Sequence, residues 1–256
     1  MIANYHTHTW RCNHAEGTEE EYIQAAMERG LQILGFSDHA PYLFPAGYYS
    51  TFRMRPTALE DYCATVQSLK KKYSDKLTIH LGVELEYYPA YFDETLRMLR
   101  DSPLEYFILG QHFVGSEFHE QYCGLMTGDA HILERYCDQV IEALHTGLFT
   151  YLAHPDLLHF LGSDRDYVQQ MRRICKAAKS CGIPLEINLL GIESGRHYPN
   201  NLFWEVAGEE GCAAVFGCDA HKADSLRNCV PETKGRQLAA KCGVQIVDTV
   251  PLRSVR

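Results

Sequence analysis

The stretch Ile2-Ala3-Asn4-Tyr5-His6-Thr7-His8 opens the chain as a short apolar run that ends in two histidines. In a β-strand, residues two apart share a face, so both imidazoles can meet one metal ion. A His-x-His pair also arises by chance, and on its own it settles little. The same pattern then repeats. Apolar runs end at Ser37-Asp38-His39, Gly82-Val83-Glu84, Gln111-His112, Ala153-His154 and Cys218-Asp219-Ala220-His221. Between these runs lie helical patterns. One follows a capping box at Thr18 and Glu21, carries Tyr22, Ile23, Ala26 and Met27 at helical spacing, and stops at Gly30. Others cover residues 57–73, 92–99, 132–144, 167–180 (capped by Asp164 or Asp166), 202–207 and 235–241, and a last short strand is expected at 245–247.

Strand and helix therefore alternate about seven times, which predicts a parallel sheet. In a closed barrel the strand ends converge over one mouth, whereas an open doubly wound sheet spreads them along a line. A His, Asp or Glu at nearly every strand end is thus better explained by an α/β barrel. The length of 256 residues suits one such barrel.

The strand-end residues are His6, His8, His39, Glu84, His112, His154, Asp219 and His221, with His14 just past the first strand. Nine donors exceed what one ion takes and suit a cluster of two or three. Mixed imidazole and carboxylate ligation favours zinc, manganese or iron over magnesium or calcium. His80, His119, His131, His145 and His159 fall away from the strand ends and are read as packed or solvated. Cys12 lies between His8 and His14 and is read as packing near them.

The formal charge of −9 argues against a surface built to hold long nucleic acid but leaves a small phosphorylated substrate open. Ten scattered cysteines with no Cys-x-x-Cys pair, no apparent leader and no apolar run of membrane length point to a reducing cytoplasm. The irregular, aromatic stretch from Tyr42 to Pro56 is either a wall or lid over a substrate or a loop packed on its own rings. After the strand 185–188, Glu193-Ser194-Gly195-Arg196-His197-Tyr198 places Arg196 where its fork could meet phosphate oxygens. Glu86 shares a strand face with Glu84 and is assigned either to orienting a ligand or to the cationic end of a substrate.

In its motif order the sequence resembles the PHP (polymerase and histidinol phosphatase) family over almost its whole length. The matching segments are His6-Thr7-His8 with His14, Ser37-Asp38-His39, Gly82-Val83-Glu84, His112, His154 and Cys218-Asp219-Ala220-His221. The Cys12-Asn13-His14-Ala15-Glu16-Gly17-Thr18, Ala153-His154-Pro155-Asp156 and Ser194-Gly195-Arg196 segments look most like the stand-alone histidinol-phosphatases of that family. The resemblance implies one PHP phosphoesterase domain over 1–256, a distorted (β/α)7 TIM-like barrel and a trinuclear divalent cluster of zinc, manganese or iron. By that analogy His6, His8, Glu84 and Asp219 hold one ion, His14, His39 and His221 a second, and Glu84, His112 and His154 a third. It implies hydrolysis of L-histidinol phosphate in histidine biosynthesis by a metal-activated hydroxide, with Arg196 on the phosphoryl group and Asp156 or His197 giving the leaving-group proton. Two alternatives remain: action on nucleotides or oligonucleotide ends, and metal binding without turnover. An oligomeric state is not specified.

Overall fold

A computed structural model describes residues 1–45, 47–118 and 121–255. Its main sheet has eight parallel strands: β1 (Ala3–Asn4), β2 (Ile33–His39), β3 (Thr78–Leu85), β4 (Tyr106–Leu109), β7 (Phe149–Leu152), β8 (Leu185–Asn188), β9 (Ala213–Gly217) and β10 (Gln245–Ile246), in that order across the sheet. The two remaining strands, β5 (Phe113–Val114) and β6 (Gln121–Tyr122), form a separate antiparallel pair, absent from the sequence reading. The helices are α1 (Glu19–Arg29), α2 (Leu59–Lys72), α3 (Phe92–Arg100), α4 (Ala130–His145), α5 (Asp164–Ser180), α6 (Leu189–Glu193), α7 (Asn201–Glu209), α8 (Ala223–Arg227) and α9 (Val230–Cys242).

Local chemistry sets most of these boundaries. The capping box at Thr18 and Glu21 forms as expected, and Gly30 ends α1 in the left-handed region at φ 81°. The cap of α5 differs from expectation. Ser163, one residue earlier than Asp164, accepts the Asp166 N–H. The five-residue α6 is also new, nucleated by the Asn188 side chain accepting from the Gly191 N–H.

The sheet curls on itself, as expected of a barrel. Beyond the ends of β1 and β9 the chain closes the mouth, with Thr7 pairing in parallel with Ala220. His8 N–H donates to the Ala220 carbonyl at 3.0 Å, and Ala220 N–H donates to the His6 carbonyl at 3.2 Å. Inside the barrel Tyr5, Tyr106, Tyr151, Ile108 and Val215 pack against Val250 from the C-terminal segment. A larger apolar layer fills the space between sheet and helices. Strands covered on both faces read as continuous apolar runs, which is why the sequence shows runs and not alternation. Among the described residues no helix is long and apolar enough to cross a membrane.

Candidate metal centre

Register carries the ligands to one level. The parallel pairing of β2 with β3 sets His39 directly beside Glu84, and β3 with β4 sets Glu84 beside Ile108. Neighbouring strands lie about 4.8 Å apart, within the span of two side chains sharing an ion. The Thr7–Ala220 bridge does the same for His6 and His8 against Asp219 and His221. Two of the expected donors take backbone conformations that L-residues seldom adopt, His154 at φ 27° and Asp219 at φ 47°. Such strain costs on the order of 1–3 kcal/mol each and marks sites where direction outweighs backbone comfort.

The structure brings all nine expected donors together. His6 Nε2 lies 3.5 Å from Glu84 Oε2 and 3.5 Å from Asp219 Oδ1. His8 Nε2 lies 3.6 Å from Glu84 Oε2 and 3.0 Å from Asp219 Oδ1. Two donors on one tetrahedral zinc stand about 3.3 Å apart, given Zn–N bonds of roughly 2.0–2.1 Å. His14, His39 and His221 form a second compact donor set. Glu84 Oε1 faces His154 Nε2 at 2.8 Å and His112 Nε2 at 3.5 Å. The sets merge through His8, whose ring lies 4.3 Å from that of His39 and 4.1 Å from that of His221.

The hydrogen-bond pattern tests whether a metal suits these donors. His14 Nδ1 donates to the Cys12 carbonyl and His221 Nδ1 to the Asp219 carbonyl, both at 2.9 Å. A carbonyl only accepts, so Nδ1 carries the proton and Nε2 keeps a free lone pair. His6 Nδ1 bonds Glu186 Oε1 at 2.7 Å and His112 Nδ1 bonds Glu86 Oε1 at 2.9 Å, which fixes those rings the same way. The nitrogens left over, His6 Nε2 and His221 Nε2, are buried without a hydrogen-bond partner, as are both nitrogens of His8 and Glu84 Oε2. Several unpartnered buried donors in one place would cost far more than folding normally tolerates, and a bound cation satisfies them together. The residues fit divalent ions.

Charge points the same way. Burial would push the Glu84 carboxyl up, but His112, His39 and His6 outweigh it and hold the group well below the usual carboxylate range. Burial would likewise raise Asp219, and His6 and His8 reverse it. Burial, with His8 nearby, depresses His39 and brings His221 down to about 3. Burial would also lower His6, His8 and His112, but the carboxylates around them reverse it and raise all three, His8 to about 9. The ionised carboxylates, His39 and His221 are thus in states that ligate, and His6, His8 and His112 would release a proton on taking a cation.

The centre forms the floor of a cavity of about 530 Å³. Phe52, Phe113, Tyr122, Leu157, Leu190 and Tyr198 wall it, and Arg196 stands at its side with Nη1 2.5 Å from the Tyr198 hydroxyl. The stretch 42–56 serves both expected purposes. Phe52 lines the cavity, while Tyr42 packs on Phe44 and Tyr88.

Three expected site residues lie elsewhere. Asp156 is buried behind the wall, with Oδ2 accepting the Asn200 N–H at 2.5 Å. His197 binds the Leu157 carbonyl through Nε2 at 2.7 Å and stacks on His159 at 4.0 Å. Neither is among the residues that line the cavity. Glu86 is fully buried with both oxygens taken by Arg53 and His112, an arrangement that suits orienting the His112 ring.

Of the other histidines, His131 and His145 are solvated on α4, His80 pairs with Glu105 at 2.8 Å, and His119 lies outside the described residues. Cys12 is buried, as expected of a packing residue, with Sγ donating to the Thr9 carbonyl, and it lies near His8 and also His221.

Burial pushes the Asp156 carboxyl up to about 7, against the Asn200 N–H. Unfolded, an Asp titrates near 3.9. The folded state therefore holds the extra proton between these values, and the stability this gives falls as pH rises toward 7. Asp156→Asn should accordingly gain on wild type by about 2–3 kcal/mol between pH 5 and pH 8. Denaturant melts at both pH values measure it, and an unchanged difference would show that the carboxyl is already ionised at pH 5.

Glu186 was missed. It holds His6 Nδ1 and accepts the His154 N–H at 3.0 Å. Its signal was present, a carboxylate within the apolar run Leu185–Ile187, two residues before Asn188.

An α/β barrel with a clustered imidazole and carboxylate centre at its strand ends is a metal-binding catalytic scaffold. The profile described as "PHP domain" matches residues 4–189, and the chain belongs to the PHP domain family. A probable histidinol-phosphatase of Deinococcus radiodurans is 30% identical over 234 residues, covering 86% of each chain. The histidinol-phosphatase of Bacillus subtilis (strain 168) is 26% identical, covering 86% of this chain and 94% of its own. In fold, the chain is similar to the histidinol phosphate phosphatase of Lactococcus lactis subsp. lactis Il1403 crystallised with zinc, L-histidinol and phosphate. The TM-score is 0.74 at 19% identity, over 99% of this chain and 97% of that one. The profile stops before Asp219 and His221, which the Thr7–Ala220 pairing brings to the centre.

Proposed function

We propose that this protein is a metal-dependent phosphomonoesterase that hydrolyses L-histidinol phosphate to L-histidinol and phosphate. The observation that carries this reading is the meeting of nine candidate ligand side chains, several with unpartnered buried atoms, beneath a cavity that six of them line together with Arg196. The named relatives supply the substrate.

His6, His8, Glu84 and Asp219 would hold one ion, His14, His39 and His221 a second, and Glu84, His112 and His154 a third. Zinc, manganese or iron in these positions would polarise phosphoryl oxygens and lower the pKa of a water that attacks phosphorus. Arg196 neutralises charge on the equatorial oxygens during in-line displacement. Tyr198 holds the Arg196 fork by its hydroxyl, and the aromatic walls enclose the organic part of the ester. Ten free cysteines suit a reducing, cytoplasmic setting.

The test is a substrate panel on zinc- or manganese-loaded protein. Histidinol phosphate should be cleaved with a higher kcat/KM than nucleoside monophosphates or a short oligonucleotide, and chelation should abolish turnover. Arg196→Ala should lower kcat/KM for histidinol phosphate by about 10²–10³, the range for loss of one preorganised charge donor. Activity that survives chelation would overturn the reading, and unchanged kinetics in the variant would remove Arg196 from the site.

A further inference from the structure

Arg53 lies outside the donor set, yet it is 2% exposed and fully engaged. Its Nη1 donates to Glu86 Oε2 at 2.9 Å and to the Ala40 carbonyl at 3.0 Å. Nη2 donates to Glu86 Oε1 at 2.9 Å and to the Tyr88 hydroxyl at 3.4 Å, and Nε donates to Glu117 Oε2 at 2.6 Å. All five N–H donors of the guanidinium thus have partners.

Two features make this more than a buried ion pair. Glu86 Oε1, one end of the fork, also accepts from His112 Nδ1 at 2.9 Å, and His112 Nε2 faces Glu84 Oε1 at 3.5 Å. The opposite face of the guanidinium system backs the cavity wall, with its central carbon 4.5 Å from the Phe52 ring centre. Phe52 in turn meets the His39 and His112 rings edge-on at 5.4 and 6.0 Å. The network also holds two carboxylates against one guanidinium, and that surplus negative charge lies on the Nδ1 side of His112, which raises its basicity toward a cation.

We propose that Arg53 is a positioning residue, which holds Glu86 against His112 so that Nε2 points at Glu84, and seats Phe52 on the cavity wall with the same side chain. The inference rests on the metal-centre reading above. It predicts that an ion held by His112, His154 and Glu84 depends on a residue that touches neither metal nor substrate. Arg53→Lys would keep the charge and lose the fork.

The test uses the full chain, stripped of metal and reloaded with zinc. In Arg53→Ala the weakest-held zinc should dissociate about 10–100-fold more readily, the range for loss of an outer partner of a ligand, while the remaining zinc is held as in wild type. KM for histidinol phosphate should rise as Phe52 loses its backing. In a His112→Ala background, Arg53→Ala should cause no further loss of zinc. A purely structural role would lower the melting temperature and leave zinc affinity alone. That result, or additive losses in the double variant, overturns the proposal. Arg53→Lys is expected to follow Arg53→Ala, and it decides on the same criterion should Arg53→Ala lack a native circular-dichroism spectrum. Wild type that holds no zinc would overturn the metal-centre reading and this proposal together, whereas normally loaded Arg53 variants overturn only the positioning role.

Discussion

His6→Ala is expected to lose bound metal and nearly all phosphatase activity, not merely one ligand bond. The His6 ring is enclosed by carboxylates: Glu186 on its Nδ1 side, and Glu84 and Asp219 on its Nε2 side. All are buried, so removing the ring leaves Glu186 Oε1 without its partner and opens a gap between like charges. An abandoned buried polar group costs about 1–3 kcal/mol, and more when charged. The loss also spreads. Glu186 accepts the His154 N–H, at a residue already held at φ 27°, so a displaced Glu186 loosens a donor on the opposite side of Glu84. We expect zinc content, measured on the folded protein by elemental analysis, to fall by more than one equivalent. Activity should fall by well over the roughly 10–100-fold that an outer partner contributes. Glu186→Gln keeps a hydrogen-bonding oxygen and removes the charge, so it should fall in that smaller range. Wild-type zinc content and turnover in His6→Ala would refute the whole arrangement of ligands.

The centre was legible in the sequence because barrel geometry converts a one-dimensional rule into a three-dimensional one. An apolar run ending in His, Asp or Glu places a candidate donor at the mouth, and parallel pairing levels those ends, as with His39 beside Glu84. Residues that work by holding others obey no such rule. Arg53 sits in an irregular stretch with no period, and its partners Glu86 and Glu117 come from distant parts of the chain. Asp156 follows the candidate ligand His154 by two residues, but the chain turns there, and its carboxylate accepts from the start of α7. The β5–β6 pair was invisible because two-residue strands carry too few positions to show alternation.

Gly110→Ala should remove metal while leaving the fold largely intact. Gly110 follows β4 directly, where the chain passes against the Glu84 side chain. A Cβ built on Gly110 would lie 1.8 Å from Glu84 Oε1, 2.5 Å from its Cδ and 2.7 Å from its Cγ. Three atoms of the side chain are in the way, so rotating the carboxylate alone gives no relief. Glu84 cannot retreat cheaply either, being 0% exposed and set against His6, His8, His39, His112 and His154. The added methyl therefore acts on the one carboxylate shared by two of the three proposed ion positions. Zinc content and kcat/KM should both drop by about 100-fold or more, at least the upper end of the range for disturbing a ligand through its neighbours. Gly147→Ala is the matched control. Gly147 sits at φ 72° with open space around its missing Cβ, so alanine there meets backbone strain of about 1 kcal/mol and no ligand. The control should melt slightly earlier and keep its zinc. If Gly110→Ala instead keeps full zinc and turnover, Glu84 has room that the packing denies it, and its role as the shared ligand fails.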